Sequence, residues 1–435
     1  MVSQRVQLSR HTLGDLLDVT RGMSLPGTNY ATSGELVRLT LGNFDYSGNG
    51  FKENTSKDNI YYSGVVPEEF ILSAGDIITP LTEQTPGLLG TTARIPVSGK
   101  YIQSQDVALI TCKPGKLDSL FCYYLVSSSI VKQQLAVGSQ QTKIRHTSPD
   151  KIKACVVYIP EDITVQHQIG EFLTTIDDSI ALNRKANAEL EAIAKQIYDY
   201  WFVQFDFPDA NGHPYKSYGG MMISEGTFSF PTPAGWDVLK LGDLIDKPES
   251  GKRPAGGINK SLKEGIPSLG AECIQTIGKF DFSRTPFIPK DSKITSGVIR
   301  DNDILVYKDG AYVGKTTLFR DGFPYDYATI NEHVFLLRSK NEAFQEFLFY
   351  TLLREQYFDS MQRLGKAKAA QPGLNQDDLK SLDVLVPPKA LYQSFSKEVR
   401  EIHKRIFNNA LQSKHLAELR DYVLPLFMTG QLSIS

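Results

Sequence analysis

The chain has 435 residues, a length that indicates more than one domain, and its 41% hydrophobic and 22% charged residues are typical of an ordinary globular protein. The net charge of −2 excludes an overall positive field, so a nucleic-acid binder of this charge would depend on local basic patches. No apolar run approaches the roughly 18 residues of a membrane span, so we expect no membrane interaction. The four scattered cysteines fit a reducing, cytoplasmic environment.

The first 160 residues mix short β-type runs with turns and one helical pattern. β-branched and alternating stretches predict strands at 35–41, 76–79, 107–111 and 156–159. Apolar residues spaced by three and four predict a helix at 117–134. Glycine and polar residues cluster between these elements, so residues 1–160 are expected to form an α+β domain.

The stretch 165–203 contains no proline, and its only glycine lies near its start. Its apolar residues recur at alternating steps of four and three, which is typical of a helix that packs lengthwise on another helix. We assign this helix to residues 161–203, and its regular part would be about 58 Å long at about 1.5 Å per residue. The residues expected to face the partner helix, here called the seam, form two rows. One row is Ile169, Ile176, Asn183, Leu190 and Ile197, and the other row is Leu173, Ile180, Asn187, Ala194 and Trp201.

Residues 204–234 are dense in Gly, Pro, Asn and Asp, which predicts a linker. A second domain follows over residues 235–388. Its predicted strands are 304–307, 316–319, 334–337 and 384–386, and its predicted helix is 342–354. We therefore expect the order of domain, helix, linker and domain, with a final helix over residues 389–435.

The final helix repeats the seam of the first one. Its rows are Phe395, Ile402, Asn409, Leu416, Val423 and Val399, Ile406, Ser413, Arg420, Phe427. Arg420 interrupts the second row, and Leu419 is expected to take its place. A polar layer falls at corresponding positions in both helices, and such a layer fixes the register of a pair at a cost in stability. The net charge is −5 over residues 161–203 and +3 over residues 389–430, so we predict an antiparallel coiled coil.

The second half of the chain repeats the first half beyond these helices. LGDLLD at 13–18 returns as LGDLID at 241–246, and CYYL at 122–125 corresponds to FYTL at 349–352. The intervening loops occupy corresponding positions but differ in sequence. Loop 79–94 corresponds to 306–320, and loop 138–148 corresponds to 365–375. A tandem repeat of one scaffold that carries two sets of polar loops indicates two similar tasks with different specificities.

The pattern resembles the specificity subunit of type I restriction–modification systems. The motifs are WFVQFDFPDANGHPY at 201–215, GWDVLKLGDL at 235–244, and the run of Gly loop, strand, Pro and Gln before each long helix. This resemblance implies two target recognition domains that each read half of a split, asymmetric double-stranded DNA site. It also implies that the paired helices act as a spacer and dock two methyltransferase subunits, which the restriction subunits join. The chain itself would be non-catalytic, with S-adenosylmethionine, ATP and Mg on its partners.

The loops that differ between the two halves supply most of the expected DNA-binding residues, and the Gly-rich segment 251–260 adds Lys252 and Arg253. Arg, Lys, Asn and Gln read base edges, whereas Lys, Arg, Ser and Thr also contact phosphates. The first domain offers Thr82, Gln84, Thr85, Arg94, Ser139, Gln140, Gln141, Lys143 and Arg145. The second domain offers Lys252, Arg253, Lys308, Tyr312, Lys315, Thr316, Lys366, Lys368 and Gln371. For any one of these residues the alternative is a solvated loop position.

Other sites are not expected. Residues 310–316 resemble a phosphate-binding loop, but three residues separate the two glycines where the motif needs four. The histidines have no metal-ligand spacing, and Asp177 with Asp178 is interpreted as a solvated helix face. Two alternatives to a DNA-specificity subunit stay open. One is a nuclease or methyltransferase fused to its own recognition unit, and the other is a scaffold that binds protein only.

Overall fold

The computed structural model describes residues 7–45, 50–83, 87–138, 145–224, 227–252, 262, 264–366 and 373–432. The chain forms two compact units. Unit 1 comprises Met1–Ile180 and His415–Ser435, and unit 2 comprises Ala181–Lys414. Across the described residues, no helix has both the length and the apolar character needed to cross a membrane.

The first domain lies in unit 1. Its strands are β1 (Leu8–Thr12), β2 (Leu17–Arg21), β3 (Tyr30–Ala31), β4 (Val37–Arg38), β5 (Tyr61–Tyr62), β6 (Ile77–Pro80), β7 (Thr82–Glu83), β8 (Ala93–Arg94), β9 (Tyr101–Ile102), β10 (Val107–Cys112), β11 (Arg145–His146) and β12 (Val156–Pro160). Its helices are α1 (Leu13–Leu16), α2 (Ser119–Ser127), α3 (Ser129–Gly138) and α4 (Pro149–Lys153). The long helix α5 (Ile163–Tyr198) follows and ends in a π-helical turn, Asp199–Val203.

The second domain lies in unit 2. The segment 204–234 before it contains β13 (Met222–Ile223) and β14 (Thr232–Pro233), which pair antiparallel. The strands of the domain are β15 (Asp237–Lys240), β16 (Glu249–Ser250), β17 (Ile266–Leu269), β18 (Phe287–Ile288), β19 (Ile304–Tyr307), β20 (Thr316–Leu318), β21 (Thr329–Ile330), β22 (Val334–Leu337) and β23 (Asp383–Val386). Its helices are α6 (Leu241–Leu244), α7 (Gln345–Leu353), α8 (Glu355–Lys366) and α9 (Gln376–Lys380), and the long helix α10 (Lys389–Met428) follows.

The two domains share one topology, which confirms the predicted tandem α+β repeat. The antiparallel sheet has the order β2–β10–β6–β8 in the first domain and β16–β22–β19–β20 in the second. In both domains the last strand returns to pair antiparallel with an early one, as β1 with β12 and β15 with β23. A second sheet in each domain contains one parallel pair, which is β4 with β9 in the first domain and β17 with β21 in the second.

The repeated Leu-Gly-Asp-Leu motif forms a single helical turn that packs closely on another short helix. A Cβ atom at Gly14 would lie 3.1 Å from the Cβ of Lys153 in α4. The corresponding atom at Gly242 would lie 2.9 Å from the Cβ of Lys380 in α9. The same close approach therefore explains the glycine in both copies of the motif.

The predicted helix at 117–134 is wrong in one respect, because the structure has two helices there. Ser128 is extended, with φ −64° and ψ 154°, and it separates α2 from α3. The hydroxyl of Ser127 donates to the carbonyls of Tyr123 and Tyr124, a contact that competes with continuation of the helix. Arg354 makes the same break between α7 and α8. The predicted strand at 35–41 is also shorter, because only Val37–Arg38 pairs as a strand.

The long helices pair in antiparallel fashion within each unit, as predicted. In unit 1 the rings of Phe172 in α5 and Phe427 in α10 are 5.9 Å apart, and in unit 2 those of Tyr198 and Phe395 are 5.8 Å apart. The start of α5 thus meets the end of α10, and the end of α5 meets the start of α10. Among the predicted seam residues, those buried are Ile169, Leu173, Ile176, Ile180, Phe395, Val399, Ile406, Val423 and Phe427, and those half-buried are Leu190, Ile197, Trp201, Ile402 and Leu416.

The predicted polar layer joins the two helices inside unit 2. The Asn409 amide nitrogen donates to Asn187 Oδ1 over 2.9 Å, and Asn187 Nδ2 donates to the carbonyl of Ile406 over 3.0 Å. Asn183 Nδ2 donates to Gln412 Oε1 over 3.1 Å. A one-heptad slip would leave the buried Asn187 without these partners, so the layer specifies the register.

The expectation that Leu419 replaces Arg420 in the seam is wrong. Leu419 is 43% exposed, whereas Arg420 is only 9% exposed. Arg420 Nη1 lies 2.8 Å from Asp177 Oδ1, and the Tyr124 hydroxyl donates to Asp177 Oδ2 over 2.7 Å. The interpretation of Asp177 as part of a solvated face is therefore also wrong, since this carboxylate balances a buried guanidinium.

Candidate nucleic-acid interface

In unit 1 the two loops that differ between the repeats meet. Strand β7 from the first loop pairs antiparallel with β11 from the second, with Thr82 opposite His146 and Glu83 opposite Arg145. The backbone N–H of Thr147 donates to the carbonyl of Leu81 over 2.8 Å. Two segments that are far apart in sequence thus lie side by side and form a paired-loop surface, in which Thr82 and Glu83 are buried, Arg145 is half-buried and His146 is exposed.

A buried carboxylate organises this paired-loop surface. Glu83 is 2% exposed, and its Oε2 accepts the backbone N–H groups of Gly87, Leu88 and Leu89 at 3.0, 2.9 and 3.1 Å. Its Oε1 lies 3.5 Å from Arg145 Nη1. Glu83 therefore fixes the backbone of residues 87–89 and holds the side chain of Arg145. The sequence analysis missed this residue because a single Glu within a polar loop carries no periodic or motif signal.

The predicted binding residues of unit 1 differ in their accessibility. Arg145 is half-buried and reaches the surface, whereas Thr82 is buried within β7. Arg94 is half-buried, with its guanidinium carbon 4.4 Å from the ring centroid of Tyr123. Burial favours a structural role for Thr82, and the DNA contacts of the other two remain predictions. The predicted residues outside the described part of unit 1 are Gln84, Thr85, Ser139, Gln140, Gln141 and Lys143.

Unit 2 joins its own two variable loops in a similar way. Asp309, in the loop between β19 and β20, forms an antiparallel bridge with Gly373, and the N–H of Leu374 donates to the carbonyl of Lys308 over 2.7 Å. His333 Nδ1 lies 2.8 Å from Asp309 Oδ2 and holds that side chain. The variable loops selected by the internal comparison are thus neighbours in both domains, although their pairing was not predicted.

The predicted residues of unit 2 include exposed cations and one exposed aromatic ring. Tyr312 is 66% exposed, and the exposed Lys315 has its Nζ 5.9 Å from the Tyr312 ring centroid. Lys308 is half-buried, with its Nζ 5.0 Å from the ring of Phe335. Thr316 is buried and donates to the carbonyl of Gly314, which favours a structural role. Lys252 and Lys366 are exposed, whereas Arg253, Lys368 and Gln371 lie outside the described residues.

An open cleft of about 700 Å³ lies beside this loop in unit 2. Tyr307, Tyr312 and Lys315 line one part of it, and the segment after β17 supplies the rest. The side chains from that segment are Glu272, Gln275, Thr276 and Lys279, together with the apolar Ala271 and Ile274. The pKa of Tyr307 is raised, mainly by burial and to a smaller extent by the negative charges of Asp309 and Glu272. Its phenol therefore stays protonated at neutral pH.

The sequence analysis missed the segment after β17. The repeat comparison marked only loops that are flanked by matching framework residues, and 270–279 has no such flanks. The parallel pairing of β17 with β21 was also not predicted, and this pairing brings the segment next to the β19–β20 loop. In the described part of the chain, no group of three or more His, Cys, Asp or Glu side chains could hold a metal ion.

Two copies of one scaffold, each with joined variable loops, define a protein built for two related recognition tasks. The family model for the type I restriction modification DNA specificity domain matches residues 10–192 and 233–419, which is most of the chain. The chain therefore belongs to the type I restriction–modification DNA specificity family.

Individual relatives agree with this assignment. The type I restriction enzyme MjaIX specificity subunit of Methanocaldococcus jannaschii is 23% identical over 372 residues, covering 80% of this chain and 78% of that protein. The HindI specificity subunit of Haemophilus influenzae is 20% identical over 344 residues, covering 65% of this chain and 70% of that protein. The crystal structure of the S subunit from M. genitalium superimposes with a TM-score of 0.57 at 16% identity, covering 98% of this chain and 96% of that chain. The chain thus belongs among the specificity subunits, which are non-catalytic parts of an enzyme complex.

Proposed function

We propose that this chain selects the DNA target of a type I restriction–modification enzyme. Each domain reads one half of a split, asymmetric double-stranded site through its paired loops. The observation that carries this proposal is the meeting of the variable loops on a repeated scaffold, seen at β7 and β11 in unit 1 and at Asp309 and Gly373 in unit 2. A shared framework with different loops suits two readers of different half-sites.

Charge does not decide between this proposal and the alternatives. Residues 1–160 hold 15 basic and 13 acidic residues, and residues 235–388 hold 21 of each. Affinity for DNA therefore depends on local patches such as Lys308, Lys315 and Lys366, and it should fall as salt rises. Basic surfaces on partner subunits are expected to supply much of the remaining phosphate contact.

The antiparallel helix pair is the proposed spacer between the half-sites. Asn187, Asn409 and the Arg420–Asp177 pair fix the register of the helices within their units, and a fixed register sets a fixed length. Two methyltransferase subunits dock on the chain in this proposal, and the restriction subunits join them. S-adenosylmethionine, ATP and Mg belong to those partners, and the complex acts on DNA in the cytoplasm.

The test is base-resolution mapping of adenine methylation in cells that express the neighbouring methyltransferase with and without this chain. A split, asymmetric motif that appears only with the chain supports the proposal. If a stable complex forms and no new methylated motif appears, the protein is a scaffold and the proposal is wrong. Deletion of one heptad from α5 and the matching heptad from α10 should shorten the gap between the half-sites, and an unchanged gap would contradict the spacer role.

A further inference from the structure

The cleft of unit 2 contains side chains whose hydrogen-bonding groups are available to a ligand. Glu272 is exposed and lines the cleft, and Gln275 is half-buried beside it. Within the described residues, neither side chain makes a hydrogen bond or an ion pair. A carboxylate and an amide that both face one cleft form a base-reading set, since Glu accepts from amino groups and Gln pairs with adenine.

The corresponding turn of the first domain is built differently. Both turns are 3₁₀ turns that follow the strand of the parallel pair, Leu41–Asn43 after β4 and Ala271–Cys273 after β17. In the first domain the polar groups bond to each other, because Asn43 Oδ1 accepts the N–H of Thr40 and Asn54 Nδ2 donates to Thr40 Oγ1. Both asparagines are buried. The turn of the second domain instead presents its polar side chains to the cleft.

The Glu272 carboxylate lies over the backbone of Gly270. A Cβ atom at Gly270 would lie 2.5 Å from Glu272 Oε2 and 2.5 Å from Nδ2 of the buried Asn331. The carboxylate therefore lies close over Gly270, a position that any larger residue at 270 would disturb. Lys279 and Lys315 line the same cleft, so the single acidic group there is accompanied by two cations that suit phosphates.

We infer that Glu272 and Gln275 are specificity-determining residues of the second domain, and that they contact base edges in the half-site that this domain reads. The inference rests on the proposed function. A carboxylate accepts hydrogen bonds only, so Glu272 selects a base that presents an amino group in the major groove, cytosine or adenine, and it rejects guanine and thymine. Lys279 and Lys315 contact phosphates beside these bases and add affinity without sequence preference.

The experiment compares methylation motifs of the wild-type complex with those of Glu272→Gln and Gln275→Ala. Glu264→Gln is the matched control, since Glu264 is an exposed acid of the same domain that pairs only loosely with Lys290, at 3.7 Å. We expect Glu272→Gln to relax the base preference at one position of one half-site by about tenfold, while the other half-site and the control motif stay unchanged. Gly270→Ala keeps the Glu272 carboxylate but moves it, so this variant should relax the base preference at the same position of the half-site.

Binding assays on duplexes separate reading from simple attraction. Lys279→Ala should weaken binding to all sequences and reduce the salt slope by about 1, with the motif retained. The inference is overturned if Glu272→Gln and Gln275→Ala keep the full wild-type motif. It is also overturned if either variant changes the half-site that the first domain reads. The proposed function fails in a distinguishable way, because the wild-type complex would then produce no split motif at all.

Discussion

Replacement of Glu83 by alanine should damage the first domain far more than loss of an ordinary surface acid. The carboxylate accepts three backbone N–H groups, two of them from the buried Leu88 and Leu89, and faces Arg145. Each hydrogen bond to a charged group contributes about 1.5–3 kcal/mol, and the contributions overlap because the turn relaxes. We expect Glu83→Ala to lower the free energy of unfolding by about 4 kcal/mol and Glu83→Gln by about 2 kcal/mol.

Urea unfolding of the full chain, followed by circular dichroism, measures this change. Glu53→Ala is the control, because Glu53 is an exposed acid of the same domain that pairs with Lys100 at 3.4 Å. The control should change stability by less than about 0.5 kcal/mol. The methylation motif of Glu83→Gln should lose definition in one half only. If Glu83→Ala is as stable as the control, the turn does not depend on this carboxylate and the reasoning is refuted.

Three further predictions concern residues of the two long helices. Asp177→Ala leaves the buried guanidinium of Arg420 with Asp421 as its remaining carboxylate partner, and it should cost about 2 kcal/mol in urea unfolding. The double variant Asp177→Ala/Arg420→Met should cost less than the single one, and an equal or greater loss in the double variant would contradict a buried pair. In a double-mutant cycle of unfolding free energies, Asn187→Ala and Asn409→Ala should show a coupling energy of about 1 kcal/mol. Additive effects would mean that the hydrogen bond between these residues does not stabilise the polar layer. Burial lowers the pKa of His403 to about 4 from an ordinary 6.5. Because the unfolded chain binds this proton at a higher pH than the folded chain, the free energy of unfolding should fall by about 3 kcal/mol as the pH drops from about 6.5 to about 4. Urea unfolding at pH 7, 6 and 5 measures this dependence, and His403→Gln should remove most of it. The same pH dependence in wild type and variant would contradict a neutral, buried His403.

Periodic and repeated features of this protein could be predicted from its sequence. The seam of α5 and α10 follows from the heptad spacing, and Asn187 meets Asn409 because the polar layer lies at matched positions. The Leu-Gly-Asp-Leu motif marks the same close helix contact twice. Comparison of the two halves also selected the loops that the structure brings together. Each of these features leaves a signal in sequence order.

Features that depend on one specific contact, without periodicity or repetition, could not be predicted. Arg420 is buried because Asp177, from the other helix, is placed to balance its charge, and a periodicity argument treats any Arg in a seam as an interruption. Glu83 is buried because a turn folds three N–H groups around it. The position of Glu272 depends on a parallel strand pairing that has no local sequence pattern. The variable loops of the candidate site could therefore be predicted from the sequence, but Glu83 and Glu272 could not.

The most direct test of the account is an exchange of the paired loops, one domain at a time. Residues 79–94 and 138–148 are replaced together by loops of different sequence in one variant, and residues 306–320 and 365–375 in another. Adenine methylation is then mapped at base resolution, with assembly of the complex checked by size-exclusion chromatography. The account predicts that each assembled variant changes a different half of the motif and retains the other half and the gap. A change of both halves in either variant, or of the same half in both, would contradict two independent reading domains.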